Sequence, residues 1–183
     1  LSVASDRPLP TITDATDMVL CDFNLDEKLD IVVFRQAAVE IYSATGEDPS
    51  WKHIARCEVP ADLDRLLVVD FDRATQTNNS AGLRISDADL LVYGKGGYQF
   101  LENKQGEDPV QRQLIKRDSP LKLDVSTEIQ TVVACDIDHD GDLDLLAAIG
   151  TKISIWLNQE KWRFAESEIG SGSAHNTSAS PMS

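Results

Sequence analysis

The sequence predicts an all-β fold built from three consecutive four-stranded antiparallel units, and three observations carry that expectation. The stretch Asp136-Ile137-Asp138-His139-Asp140-Gly141-Asp142-Leu143-Asp144 has acidic residues at alternate positions and lies between two apolar runs of strand length, Thr131–Cys135 and Leu143–Gly150. The same pattern recurs upstream: Val19–Val33 aligns without a gap on Val133–Ala147, an offset of 114 residues or two periods of 57. A middle copy is due near residue 79 and is found split, with Leu67–Asp72 early, Asp89–Gly94 late and the polar insertion 73–88 between them. Self-similarity at a fixed period marks a repeat architecture. Within the runs, Val39 and Ile41 alternate with Glu40 and Tyr42, and Ile153 and Ile155 flank Ser154. That is the period-two pattern of half-buried strands.

Taken in order, residues 1–13, with Pro8 and Pro10, read as an extended lead-in. The first unit, 14–60, supplies strand-like runs at Met18–Asp22, Leu29–Phe34, Ala38–Ser43 and Trp51–Glu58, with a polar turn holding Gly46 and Pro49 before the last. The second unit, 61–118, supplies Leu66–Phe71, Asp89–Tyr93, Tyr98–Glu102 and Gln111–Lys116, with Gly94-Lys95-Gly96-Gly97 as a hairpin turn. The third, 119–169, supplies Gln130–Asp136, Leu143–Ile149, Lys152–Asn158 and Trp162–Glu168. Trp51 and Trp162 each open a fourth strand and are expected to pack. The Gly- and Ser-rich tail, 170–183, has almost nothing to bury and reads as a flexible linker. Asn78-Asn79-Ser80 and Asn176-Thr177-Ser178 are formal glycosylation sequons of a kind common by chance.

Bulk properties exclude several classes. With a formal net charge of −14, the chain is not expected to bind nucleic acid, because its acidic residues outnumber the basic ones that would neutralise phosphates. No apolar run approaches the roughly 18 residues that a membrane-spanning helix needs, so no membrane insertion is expected. The chain opens on Leu1 without a charged and apolar leader, which suggests a processed or excised segment. Three cysteines make no disulfide framework. Cys21 and Cys135 share one repeat position in different units and should not meet, so they and Cys57 are expected to be small buried side chains.

The alternating carboxylates point to a hard cation. Oxygen ligands at loop positions 1, 3 and 5 with Gly at 6 suit Ca²⁺. In the third unit these are Asp136, Asp138, Asp140 and Gly141, with the Asp142 carbonyl at position 7 and the Asp144 carboxylate at position 9. An EF-hand is excluded: its loop needs Glu at position 12, where this chain has Ala147, and it needs helices where this chain has strands. In the first unit the corresponding ligands are Asp22, Asn24, Asp26, the Lys28 carbonyl and Asp30. Neutral Asn24, the Lys28 side chain and Glu27 in place of Gly predict that this loop binds less tightly than the third, or not at all. In the middle unit Asp70, Asp72 and Asp89 either converge, or the insertion has retired the site. His139 falls at a non-ligand position and should face solvent.

On these residues the unit resembles the FG-GAP/VCBS-type repeat, one blade of the β-propellers of integrin α-subunits and many large secreted bacterial proteins. Residues 130–158 carry Asp136, Asp138, Asp140, Gly141, Asp144, Gly150 and Asn158 of that signature. Residues 18–43 depart from it at Asn24 and Glu27, and residues 66–103 keep Asp70, Asp72, Asp89, Gly94, Gly96, Gly97 and Asn103 without the middle of the loop. Four short strands per unit also fit a propeller blade, and propellers close with about four to eight blades. Three blades are therefore expected to be a partial propeller: a slice of a longer chain with neighbouring blades of the same parent, or an arc completed by another copy or partner. The resemblance implies a Ca²⁺-stabilised, non-catalytic scaffold or adhesion-type module that binds a protein or glycan and is extracellular, cell-surface or periplasmic. The alternatives are a structural accessory domain of a larger secreted enzyme, or a sugar-active enzyme using paired carboxylates. Catalysis is not expected, since the carboxylates fall at metal-loop positions and no nucleophile or phosphate-loop motif is present. Insertion 73–88 is either a private binding feature or a drifted loop.

Overall fold

The computed structural model describes residues 10–44, 50–71, 75–76, 85–106, 112–118, 120–124, 127–159 and 162–167. Among these residues there are 14 strands and no helix. Twelve of the strands form three antiparallel four-stranded sheets. The first contains β1 (Ala15–Cys21), β2 (Asp30–Arg35), β3 (Ala38–Ser43) and β4 (Lys52–Glu58), in that order across the sheet. The second contains β5 (Leu63–Val69), β8 (Asp89–Gly94), β9 (Gly97–Gln105) and β10 (Arg112–Arg117). The third contains β11 (Thr131–Cys135), β12 (Asp144–Ile149), β13 (Lys152–Asn158) and β14 (Phe164–Ser167). Inside insertion 73–88, β6 (Thr75–Gln76) pairs with β7 (Ile85–Ser86). Asp72, both sequons, the turn around Gly46 and Pro49, and tail 170–183 lie outside the described residues.

The all-β class and the twelve expected strands are present, with shifted ends. The apolar run at Leu66 becomes a strand that begins at Leu63, because the β8–β9 turn packs against the residues before it. The Gly96 amide donates to the Asp62 carbonyl (3.0 Å), and a Cβ on Gly96 would stand 2.6 Å from Asp62 Cβ. Only a residue without a side chain fits that approach. Trp162 does not open its strand: it sits in a turn at φ +62, two residues ahead of β14. It still packs, against the Phe71 and Phe100 rings and under the Arg117 guanidinium.

The sheets stack through apolar faces. One core joins sheets one and two, with Phe23, Val32, Phe34, Val39 and Ile41 against Leu63, Leu90, Val92 and Leu101. A second joins sheets two and three, with Phe71, Leu91, Tyr93, Tyr98 and Phe100 against Val132, Leu145, Trp156 and Phe164. The middle sheet is therefore packed on both sides, and β8 is buried along its whole length. First strands gather, with β1 and β11 both beside β5. Polar contacts cross between sheets as well: the Leu66 amide donates to Asp17 Oδ2 (2.8 Å) and the Ile129 amide to the Gly94 carbonyl (3.0 Å).

Candidate metal centre

The loops between the first and second strands of sheets one and three have the same backbone. Positions 4 and 6 take positive φ in both: Leu25 (62°) and Glu27 (66°), His139 (63°) and Gly141 (90°). The position-1 carboxylate accepts from the amide at position 6, Asp22 from Glu27 (2.8 Å) and Asp136 from Gly141 (3.1 Å). The position-3 side chain accepts from position 5, Asn24 from Asp26 (3.1 Å) and Asp138 from Asp140 (3.3 Å). Position 5 accepts from position 7, Asp26 from Lys28 (3.1 Å) and Asp140 from Asp142 (2.8 Å). Short acidic side chains suit this loop because each one folds back onto an amide two to five residues on.

The position-9 aspartate has a different task in all three sheets. It is the first residue of the second strand, it is buried, and it ties the loop to the sheet. Asp144 accepts from the Ile137 amide (2.7 Å) and the Asn158 amide (2.8 Å). Asp89 accepts from Phe71 (3.1 Å) and Asn103 (2.9 Å). Asp30 accepts from Phe23 (2.9 Å) and Asn24 (3.1 Å). The same asparagines then reach across to the preceding sheet: Asn103 Nδ2 donates to the Phe23 carbonyl (2.9 Å), and Asn158 Nδ2 to the Phe71 carbonyl (3.0 Å). Aspartate and asparagine thus form a hydrogen-bonded relay through the stack. The sequence marks Asn103 and Asn158 as a repeated position, but nothing local reveals that they join neighbouring sheets.

In the third loop, Asp136, Asp138 and Asp144 each bring one carboxylate oxygen to within 4.8 Å of the others. Oxygens on opposite sides of one Ca²⁺ stand roughly 4.6–5.2 Å apart at ligand distances of about 2.3–2.6 Å, so the group can close on a single ion. Asp136 Oδ1 is shielded from solvent and has no hydrogen-bond partner, as a metal ligand would be. Asp144 keeps lone pairs beyond the two it gives to amides. Asp140 and Asp142 are not in this group: Asp140 is exposed, with Oδ1 turned to the Asp142 amide, and the Asp142 side chain is buried. His139 is exposed.

The first loop brings no such group of three carboxylates together. Both oxygens of Asp22 accept from amides, those of Asp26 (3.0 Å) and Glu27, and Asn24 Nδ2 donates to Ser43 Oγ (3.0 Å). A cation is present nonetheless. Arg112, at the start of β10, is buried and donates from its terminal nitrogen to the Asn24 carbonyl (2.7 Å). Burial lowers its pKa, and the negative charges of Asp87, Asp22 and Asp30 oppose that fall. Asp30 itself is pushed up to about 6 by burial, against hydrogen bonds from Ser43 and the Asn24 and Phe23 amides, with Asp26 adding repulsion. Cys21 is pushed up to about 12 by burial, with Asp30 and Asp22 adding to it, so it stays a neutral thiol. Sequence reasoning missed Arg112, which has no motif around it and lies 88 residues from the loop it serves. In the middle unit, Asp89 is committed to two amides, and Asp70 is half-buried just after β5.

Fold and loops define an all-β protein of three repeated antiparallel sheets with an acidic cluster fit to hold a metal ion. No family model, no curated protein and no solved structure matches the chain.

Proposed function

We propose that the chain is a calcium-stabilised β-propeller segment of the FG-GAP/VCBS type, acting as a non-catalytic scaffold or adhesion-type module for a protein or glycan outside the cell, at its surface or in the periplasm. The observation that carries this reading is the third loop, where three carboxylates converge and one oxygen is shielded without a partner. The stacking of equivalent sheets in chain order supports the propeller part. When bound, Ca²⁺ supplies positive charge among the three carboxylates. The chain's own contribution is to orient them: Gly141 holds Asp136, the Asp140 amide holds Asp138, and Ile137 and Asn158 hold Asp144. Modules of this kind bind Ca²⁺ at roughly 10⁻⁴ to 10⁻³ M, which fills them outside a cell and leaves them largely empty in cytosol.

Thermal unfolding in about 2 mM Ca²⁺ and in EDTA tests the reading. At ten times Kd one site contributes about 1.4 kcal/mol, or roughly 3–6 °C in Tm for a domain of this size. The shift should vanish in Asp136→Asn, which keeps an acceptor for the Gly141 amide but weakens the ligand. An identical Tm in both conditions for the unaltered chain would sink the calcium assignment.

A further inference from the structure

Among the described residues, the third sheet has one face packed on the second sheet and one face uncovered. Its outer positions include Val133, Ile137, Leu146, Ile153 and Ile155, and Val133 (51%) and Ile153 (56%) are exposed. These five stand at the repeat positions of Val19, Phe23, Val32, Val39 and Ile41, which pack on sheet two. They also stand at those of Leu67, Phe71, Leu91, Tyr98 and Phe100, which pack on sheet three. The same face is thus used twice inside the molecule to bind the next sheet, and its third instance is apolar at every one of these positions. A contiguous apolar face on a chain of net charge −14 marks an interaction surface.

The matching surface is present on the first sheet. Inside the molecule, the receiving faces use Leu66, Val68, Leu90, Val92 and Leu101 of sheet two, and Val132, Ala134, Leu145, Ala147 and Trp156 of sheet three. In sheet one the same positions are Met18, Leu20, Ile31, Val33 and Tyr42, with Met18 (66%) and Leu20 (57%) exposed. Glu40 stands where Gln99 and Ser154 stand, so a polar third strand is part of the pattern. Ala44 replaces Asn103 and Asn158, so a contact through this face lacks the amide bond to the preceding loop and should be the weaker, reversible member of the series.

We propose that the outer face of the third sheet docks the first sheet of a second copy of this chain, so that two copies close head to tail into a ring of six sheets. Head-to-tail interfaces form rings when their rotation closes, and six lies within the range of about four to eight sheets found in propellers. Ring closure rests on the propeller reading above, whereas the docking surface rests only on the equivalence of the faces.

Light scattering after size exclusion, over a range of chain concentrations, decides the matter. The unaltered chain should reach twice the single-chain mass, more completely as salt screens the repulsion between two acidic copies. Ile153→Asp and Met18→Asp, both at exposed positions, should each give the single-chain mass. Mixing the two variants should restore a species of doubled mass, because one intact pair of faces survives between them and both partners must be folded to form it. A chain that stays single at roughly 200 µM, where a contact of useful affinity would be filled, overturns the docking surface and leaves the propeller reading standing. Particles that lengthen with concentration overturn the closed ring and the propeller reading together. Pairing that survives Met18→Asp but not Ile153→Asp would mean the third sheets meet each other, and overturns the head-to-tail arrangement.

Discussion

The loops Asp22–Asp30 and Asp136–Asp144 share backbone angles and hydrogen-bond pattern, yet they meet the cost of clustered carboxylates in opposite ways. The third loop is turned outward and keeps three carboxylates converged. The first faces the second sheet, loses one charge at Asn24, spends both oxygens of Asp22 on amides and receives the buried guanidinium of Arg112. One loop keeps an acidic cluster fit to hold a metal ion, and the other is served by a cation from the chain. The difference lies in where each loop falls in the stack: only the first has a following sheet whose fourth strand carries an arginine to it.

That contrast makes Arg112→Met the most damaging single change. Removing the charged donor to the buried Asn24 carbonyl costs about 1.5–3 kcal/mol. Urea unfolding should show a loss of that order in Ca²⁺ and in EDTA alike. A variant as stable as the parent would mean the guanidinium is only a passenger. Next in size are the asparagine links between sheets: Asn158→Ala should cost about 1–3 kcal/mol by leaving the Phe71 carbonyl without its donor. The Ca²⁺ shift should persist in that variant, because Asp144 accepts from the Asn158 backbone amide, which the substitution keeps. A direct sharpening of the comparison is Asn24→Asp, which restores the missing carboxylate. With Arg112 in place, calorimetric titration should still find one Ca²⁺ per chain, and a second site would refute the account of the first loop.

Much of this was legible in the sequence because it is local. Apolar runs of strand length place all twelve sheet strands to within a few residues, and the alternating acids identify both loops from spacing alone. What was not legible depends on contacts distant along the chain. Asn103 and Asn158 reach carbonyls 80 and 87 residues away, and Arg112 reaches one 88 residues away. Asp144 looked like a ligand equal to its neighbours, whereas the structure gives it a second task as the staple between loop and sheet. The early start of β5 likewise follows from the packing of Gly96 against Asp62, which no propensity signals.

The burial of Asp30 in the first loop also sets a pH dependence. The folded chain holds the Asp30 proton up to about pH 6, well above the usual carboxylate value of 3.8. Between those values the folded state binds more protons than the unfolded one, so stability falls as pH rises through this window, and the penalty is complete above it. In EDTA, lowering the pH from about 7 to 5 should therefore add on the order of 1 kcal/mol from this group, less whatever solvent screening removes. Asp30→Asn should flatten that rise. A rise of equal size in the variant would assign the effect to another group.

The smallest expected effect lies at the far end of β2 from the first loop, in the turn between β2 and β3. Gln36 and Ala37 both take positive φ, 48° and 55°, in a two-residue hairpin closed by the Arg35–Ala38 pair. That turn geometry favours Asn-Gly, because an L side chain in the left-handed region crowds the following carbonyl. In the third sheet the first of the corresponding positions is Gly150, at φ +58. Replacing Gln36-Ala37 by Asn-Gly should thus relieve strain of about 1–2 kcal/mol per residue, offset in part by the greater freedom glycine has when unfolded. The net expectation is a gain of about 1 kcal/mol in urea unfolding, with the Ca²⁺ shift unchanged, because the third loop does not touch this turn. A loss of stability would show that the Gln36 side chain makes a contact worth more than the strain it tolerates.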